Sequence, residues 1–236
     1  MTVGDVSVAI LAGGLATRLG ETVAALPKAL VPVAGRPFID HQLSLLRAAG
    51  VRRVVLCVQH LATAIEAHLG DGAAHGLSVV YSHDGERLLG TGGALRRALP
   101  LLGDACFVLY GDSYLEAPLA PIVDALDGSG AWGVMTVLRN DGRWDKSNAL
   151  VANGRLVRYD KRAPSADMAH IDYGLALLRR EAVVRIPAET SYDLSDLYRD
   201  LVNEERMIGF EVTRRFYEIG SPEGLAETRA LLEGRP

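Results

Sequence analysis

An apolar run from Val6 to Ala12, interrupted only by Ser7, stops at Gly13-Gly14. With so little polar alternation to turn one face to water, the strand it predicts is buried on both faces, as strands are in parallel sheets covered by helices. Two glycines placed there bring bare backbone N–H groups to the carboxyl end of that strand, where anionic ligands of open α/β sheets bind. The chain thus begins in its own core and points its first strand at a ligand.

The alternation that follows fits this start. Pro37 opens a helix with Ile39, Leu43 and Leu46 on one face and Gly50 at its end. Arg53 to Gln59 reads as a strand, and helical spacing returns through Leu61, Ile65 and Leu69 before Gly70. Leu77 to Tyr81 is a strand, Thr91 to Leu102 a helix and Ala105 to Tyr110 a strand, a succession that predicts parallel βαβ units. The second half changes character. Trp132 to Leu138, Ala149 to Ala152 and Leu156 to Lys161 are strands in quick succession, the last two joined by an Asn153-Gly154 hairpin turn, so antiparallel pairing must enter. A strand over Ile171 to Leu178, a helix over Leu194 to Glu204, a strand over Met207 to Thr213 and a helix after Ser221-Pro222 complete the chain. At roughly 150 residues per domain, 236 residues suffice for a real core. The expected fold is a single α/β domain over residues 1–236, with a mixed, mainly parallel sheet flanked by helices and the second half decorating the first.

Composition narrows the function classes. With 49% hydrophobic and 23% charged residues the chain is an ordinary globular one, and a formal net charge of -4 argues against a protein that grips nucleic acid. Cys57 and Cys106 sit in apolar runs as buried thiols, with no disulfide framework. The opening apolar run is too short to span a membrane and lacks the basic residues of a leader, so no membrane partner and a cytoplasmic address are expected. None of the six histidines shows metal-ligand spacing, and no G-x-S-x-G elbow is present.

The chemistry concentrates between Leu11 and Pro37, in LAGGLATRLG and LPKALVPVAGRP. Arg18 offers a planar, permanently charged fork and Lys28 a compact point charge, both suited to phosphate oxygens beside the glycines. The P-loop and dinucleotide fingerprints are missing. What is present resembles the glycine-rich signature and downstream Pro-Lys of the sugar-1-phosphate nucleotidyltransferases, the nucleoside-diphosphate-sugar pyrophosphorylases. Further matches are LLGTGGAL at Leu88 to Leu95, VLYGDS at Val108 to Ser113, YDK at Tyr159 to Lys161, IDYG at Ile171 to Gly174 and FYEIGSPEGL at Phe216 to Leu225. The nearest relatives to name are a heptose 1-phosphate guanylyltransferase and a uridylyltransferase.

The resemblance implies a Rossmann-like fold of the GT-A-like nucleotide-diphospho-sugar transferase kind. It implies a nucleotide-binding half over 1–130, a sugar-phosphate-binding half over 131–236, and transfer of a nucleoside monophosphate from GTP, UTP, CTP or dTTP to a sugar 1-phosphate. Arg18, Lys28 and Asp112 are its catalytic candidates. Nucleotide contacts fall on Leu11, Ala12, Gly13, Gly14, Thr17, Arg18 and Gln59, and on Thr91, Gly92 and Gly93, where Thr91 is equally a helix N-cap. Sugar-phosphate contacts fall on Asn148, Asp160, Lys161, Asp172, Tyr173 and Gly174, with Asp160-Lys161 equally a solvated strand end. Mg²⁺ is the implied cofactor, on Asp112 and on Glu218, which stands where the family pattern has an aspartate. Ala16 replaces a further glycine of the pattern, and Trp144 to Asn148 is either a lid over the sugar or a surface turn. A homodimer, a non-catalytic nucleotide-sugar-binding relative, and an acceptor such as phosphocholine stay open.

Overall fold

The structure is a computed structural model and describes residues 1–14, 19, 26–59, 61–85 and 87–234. Strand β1 (Ser7–Leu11) is followed by the small hairpin of β2 (Pro32–Val33) and β3 (Arg36–Pro37), then helix α1 (Phe38–Ala48) and β4 (Arg53–Val58). Next come α2 (Ala62–Leu69), β5 (Ser78–His83), α3 (Gly90–Ala98), β6 (Ala105–Tyr110), β7 (Ser113–Tyr114) and α4 (Leu119–Ser129). The remainder comprises β8 (Gly133–Arg139), β9 (Ala149–Ala152), β10 (Arg155–Tyr159), β11 (His170–Arg179), α5 (Arg180–Val184), α6 (Leu194–Asn203), β12 (Met207–Val212), β13 (Tyr217–Glu218) and α7 (Pro222–Glu233).

β1 lies between β4 and β6, parallel to both, and β5 runs parallel to β4 at the edge. β11 then runs antiparallel to β6, with Leu175 opposite Leu109, and antiparallel to β8 on its other side, while β12 is parallel to β8. The second half therefore extends the main sheet rather than decorating it. The β9–β10 hairpin continues that sheet beyond β11, joined through the pair His170 and Ala149, while β13 pairs with β7 in a separate two-stranded sheet.

The strand residues divide between two apolar layers, as expected when helices cover both faces. Val8, Ile10, Leu56 and Phe107 pack with Ile39, Leu43, Ile65 and Ile122 on one side, under α1, α2 and α4. Ala9, Val55, Cys57 and Cys106 pack with Leu95, Ala182, Leu197 and Leu201 on the other. Both cysteines are free and buried, and desolvation pushes their thiols far up, Cys106 to about 12.

Two element boundaries differ from the periodicity. α3 ends at Ala98 and continues as a 3₁₀ turn over Leu99–Leu101, because Pro100 has no N–H for the next α-helical bond. α4 spans a stretch for which the sequence reading proposes no element, although Leu119, Ile122, Val123 and Leu126 bury one helical face. Among the described residues, no helix is long and apolar enough to cross a membrane.

Candidate active site

The carboxyl end of β1 is tied to those of β6 and β4 by backbone hydrogen bonds. The Gly111 amide donates to the Leu11 carbonyl at 3.0 Å, and the Ala12 amide donates to that of Cys57 at 2.9 Å. A Cβ at Gly111 would stand 2.9 Å from both the Ala12 Cα and the Leu11 carbonyl oxygen, so only glycine lets these strand ends touch. Asp112 follows at once. Its carbonyl accepts from the Ile219 amide at 2.9 Å, and β7 pairs with β13, with Ser113 opposite Glu218. Gln42, buried on α1, donates its side-chain amide to the carbonyls of Tyr110 (3.0 Å) and Ser113 (2.7 Å), locking the turn that carries Asp112.

Lys28 enters from the loop after β1, where its own amide donates to the Gly14 carbonyl at 3.3 Å. Its Nζ lies 3.0 Å from Asp112 Oδ2, both side chains partly buried. This pair joins two cavities. The first, of about 260 Å³, is lined by Leu11, Ala12, Gly13, Gly14, Lys28, Gln59, Thr91 and Asp112, together with Cys57, Asp84, Leu88 and Tyr110. The second, of about 870 Å³, is lined by Asn148, Lys161, Asp172, Tyr173, Gly174 and Glu218, with Arg143, Trp144 and Arg215. Lys28, Tyr110 and Asp112 line both.

Other residues singled out from the sequence have different surroundings. Ala16, Thr17 and Arg18 lie outside the described residues. Gly92 and Gly93 do not line the first cavity. Their amides donate to the Tyr192 carbonyl, and a Cβ at Gly93 would stand 2.5 Å from the Thr190 carbonyl oxygen, so what their bare backbone permits is close packing of the 190–194 segment. Thr91 lines the cavity while its Oγ1 accepts from the Leu194 amide at 2.9 Å, capping α6 rather than its own helix. Asp160 is not among the residues lining the second cavity. Its carboxylate closes a turn by accepting from the amides of Ala163 (2.8 Å) and Arg162 (2.9 Å), contacts that hold its pKa down.

The second cavity is shaped by a bulge. Pairing of β11 with β8 shifts register between Asp172 and Ala176, and within that stretch Gly174 adopts φ +92°, a conformation that favours glycine. The bend folds Asp172 onto its own strand: Oδ1 accepts from the Gly174 amide at 2.9 Å, and Tyr159 Oη donates to Oδ2 at 3.3 Å. Asn148 Oδ1 accepts from the Asp172 amide at 2.8 Å. Burial raises the Asp172 pKa, against the Gly174 contact and the charge of Lys161. The Tyr173 ring packs in the core, edge-on to Phe216 at 6.2 Å. Trp144 contacts the same Phe216 at 6.2 Å, with the guanidinium groups of Arg143 and Arg215 5.8 and 5.6 Å from its ring centre. Buried Asn140 holds this segment from beneath, its Nδ2 donating to the Ser147 hydroxyl at 3.1 Å and its Oδ1 accepting from the Trp144 amide at 3.2 Å.

Glu218 uses its extra methylene to reach around its own loop. Its Oε1 accepts from the Ser221 hydroxyl at 2.7 Å and its Oε2 from the Gly220 amide. Among the described residues, the group of three neighbouring metal-ligand side chains lies elsewhere, at Asp40, His68 and His75, none of which lines either cavity. There Asp40 Oδ1 is 2.8 Å from His68 Nε2.

Asp84, just past β5, is 7% exposed and lines the first cavity. Burial pushes its carboxyl up to about 6, against the charges of Arg97 and His83. Because the folded value lies above that of an unfolded aspartate, ~3.9, the folded state binds this proton more tightly. Asp84 therefore lowers stability above pH 6, and the deficit closes as the pH falls toward 4. Asp84→Asn is expected to melt higher than the parent at pH 7.5 and to converge with it near pH 4. An offset that stays constant in melting curves across that range would refute the assignment.

The MobA-like NTP transferase domain matches residues 8–191, most of the chain. The chain belongs to that family. Within the MobA-like family it is similar to N-acetylmuramate alpha-1-phosphate uridylyltransferase of Caulobacter vibrioides, 30% identical over 94% of this chain and 95% of that protein. It is 32% identical to mannose-1-phosphate guanylyltransferase of Mycobacterium tuberculosis over 79% of this chain, and spans about half, 52%, of that relative's length. The fold is that of HddC from Yersinia pseudotuberculosis, a structure complexed with GMP-PN, with a TM-score of 0.79 at 21% identity over 96% of this chain and 99% of that one. The relatives are thus sugar-1-phosphate guanylyl- and uridylyltransferases.

Gln42, Asp84, Arg143 and Arg215 are the site residues that sequence reasoning missed. Asp84 carries the same positional signal as Asp112, a carboxylate just past the carboxyl end of a parallel strand. Gln42 carries none, since a glutamine on a buried helical face is interpretable only once its acceptors are known.

Proposed function

We propose that this chain transfers a nucleoside monophosphate from a nucleoside triphosphate to a sugar 1-phosphate and releases pyrophosphate. The observation that carries the reading is the sharing of Lys28, Tyr110 and Asp112 by the two cavities. One is lined by residues 11–112, the other largely by residues 143–227, which supports a nucleotide half and a sugar-phosphate half. Substrates held one in each would meet at Lys28. An oxygen of the sugar phosphate forms a bond to the α-phosphorus while the bond from that phosphorus to the β-phosphate bridging oxygen breaks, and pyrophosphate leaves with the bond electrons. No protein nucleophile is required. What the protein must do is hold two mutually repelling polyanions in line and neutralise charge on the oxygens around phosphorus. Lys28 supplies a cation at the junction and Lys161 another on the sugar side, and Arg18, which follows the glycines in the sequence, is the third cation we assign to the reaction.

Asp112 and Glu218 are the residues that would hold a divalent cation. Both line the second cavity, Glu218 accepts one hydrogen bond on each oxygen, and Asp112 has Lys28 on Oδ2. Each carboxylate has roughly four lone-pair sites, so this hard-oxygen donor set fits Mg²⁺ alongside phosphate oxygens and water. Bound there, Mg²⁺ would supply charge neutralisation. The triphosphate and Mg²⁺ are abundant in the cytoplasm, where we place the reaction.

The test is pyrophosphate release with Mg²⁺, the common triphosphates and a panel of sugar 1-phosphates. One pair is expected to support turnover; silence across every pair refutes the reading. Lys161→Ala is expected to raise KM for the sugar 1-phosphate by roughly 10- to 100-fold, the worth of a charge-assisted hydrogen bond. Triphosphate affinity should stay unchanged. Equal loss for both substrates would remove Lys161 from the sugar side.

A further inference from the structure

We infer that Asp40, His68 and His75 form a binding site for a divalent transition metal of the zinc type, in the layer of α1 and α2 and apart from both cavities. The inference goes beyond the transferase reading and holds whether or not that reading does. Each of the three residues offers one ligand atom, and these atoms all lie within 4.8 Å of one another. None of the three lines either cavity.

Asp40 stands in the first turn of α1 and His68 in the last turn of α2, and His75 ends the 3₁₀ turn Ala73–His75 that follows. That turn is fixed before any ion arrives. Asp71 Oδ1 accepts from the Ala73 amide at 3.0 Å, Tyr81 Oη donates to the Gly70 carbonyl at 2.6 Å, and Arg47 of α1 donates Nη1 to the His75 carbonyl at 3.4 Å. Gly76 adopts φ +66° directly against Arg47, where an added Cβ would collide with the guanidinium, so the turn lies flush on α1. The two histidines are too far apart in the sequence to share one face of a helix, and it is the turn that brings their rings together.

Both imidazoles aim Nε2 at one carboxylate oxygen. Asp40 Oδ1 is 2.8 Å from His68 Nε2 and 3.8 Å from His75 Nε2, and the two ring centres stand 6.3 Å apart with the planes tilted by 57°. A hydrogen bond accounts for His68 alone, since the longer distance is beyond its reach. A shared ion accounts for both. Ligand atoms bound tetrahedrally at about 2.0–2.1 Å lie roughly 3.3 Å from one another, a spacing that the two distances bracket. Two imidazoles and a carboxylate suit Zn²⁺ and give little hold to Mg²⁺, which takes oxygen ligands. Asp40 and His75 are half-buried and His68 is exposed, so the carboxylate is shielded while one side stays open for an ion to enter and for water to complete the set. An ion held there would clamp α1 to the connection between α2 and β5.

Cobalt substitution tests this on the full chain, stripped of metal by a chelator that is then removed. One Co²⁺ per chain is expected to give the strong visible absorption of a tetrahedral site, to be displaced by Zn²⁺ and to survive excess Mg²⁺. Octahedral binding to oxygens alone, the kind that Asp112 and Glu218 would give, absorbs weakly and is thereby told apart. Zn²⁺ should also raise the melting temperature, because an ion bound only by the folded chain stabilises it. In His68→Ala and in His75→Ala the affinity for Co²⁺ is expected to fall by at least roughly 10- to 100-fold, the cost of losing even a ligand's supporting partner. In chelator, His75→Ala should melt like the parent, which separates loss of the site from loss of the fold. Absence of the tetrahedral band from the parent protein, its persistence in both variants, or a melting temperature unmoved by Zn²⁺ would each overturn the inference.

Discussion

Lys28→Ala is expected to lower pyrophosphate release by about 100- to 1000-fold, the range for removing one preorganised charge from a transferring group. Lys28 is the cation at the junction of the two cavities, 3.0 Å from Asp112 and only partly exposed, so water replaces it poorly. The loss should fall mainly on kcat, because charge on the oxygens around phosphorus changes most between bound substrates and transition state. Removing the lysine also leaves Asp112 unneutralised toward incoming phosphates, which adds to the effect. Steady-state kinetics with the preferred substrate pair decide the matter. A variant with unchanged kcat would mean the junction is not where the phosphorus sits.

Gly111→Ala is expected to cost about 100-fold in turnover without touching a charged group. The added Cβ would meet the Ala12 Cα and the Leu11 carbonyl at 2.9 Å, and these backbone atoms yield only if the ends of β1 and β6 part. The glycine loop and Asp112 ride on those two ends, and a misplacement of ~1 Å is worth a factor of that order. Overpacking of this kind costs ~1–3 kcal/mol, which lowers the melting temperature by roughly 2–12 °C for a chain of this size. Gly128→Ala is the control, since nothing lies within 4 Å of the Cβ it would add. Turnover of Gly111→Ala equal to that of the control would show that the strand ends have slack.

The sheet strands of the first half were legible because burial on both faces leaves a continuous apolar run that little else imitates. The Asn153-Gly154 turn was legible too: both residues adopt positive φ, 52° and 73°, as the two central positions of a tight hairpin require. Helix α4 carries readable helical spacing in Leu119, Ile122, Val123 and Leu126. The two-residue strands β7 and β13 had no period to read, although they bring Glu218 beside Asp112. The insertion of β11 between β6 and β8 was hidden for a different reason, since which strands pair across long separations is decided by three-dimensional fit rather than by local pattern. The same holds within the site. Lys28 and Asp112 were singled out for their chemistry, but their direct contact across 84 residues of chain is a product of the fold. Gly92 and Gly93 looked like ligand-facing backbone because a glycine does not announce which neighbour comes close.

The place of β11 also bears on how such a protein can be cut or recombined. β6 is apolar on both faces and finds its outer hydrogen-bonding partner only in a strand that lies some 60 residues later, across β8, β9 and β10. A fragment ending after α4 would present that edge bare, an invitation to pair with another chain. The first half of the chain thus depends on the second to cover this edge, and swapping second halves between relatives would have to carry β11 along or rebuild the seam it fills.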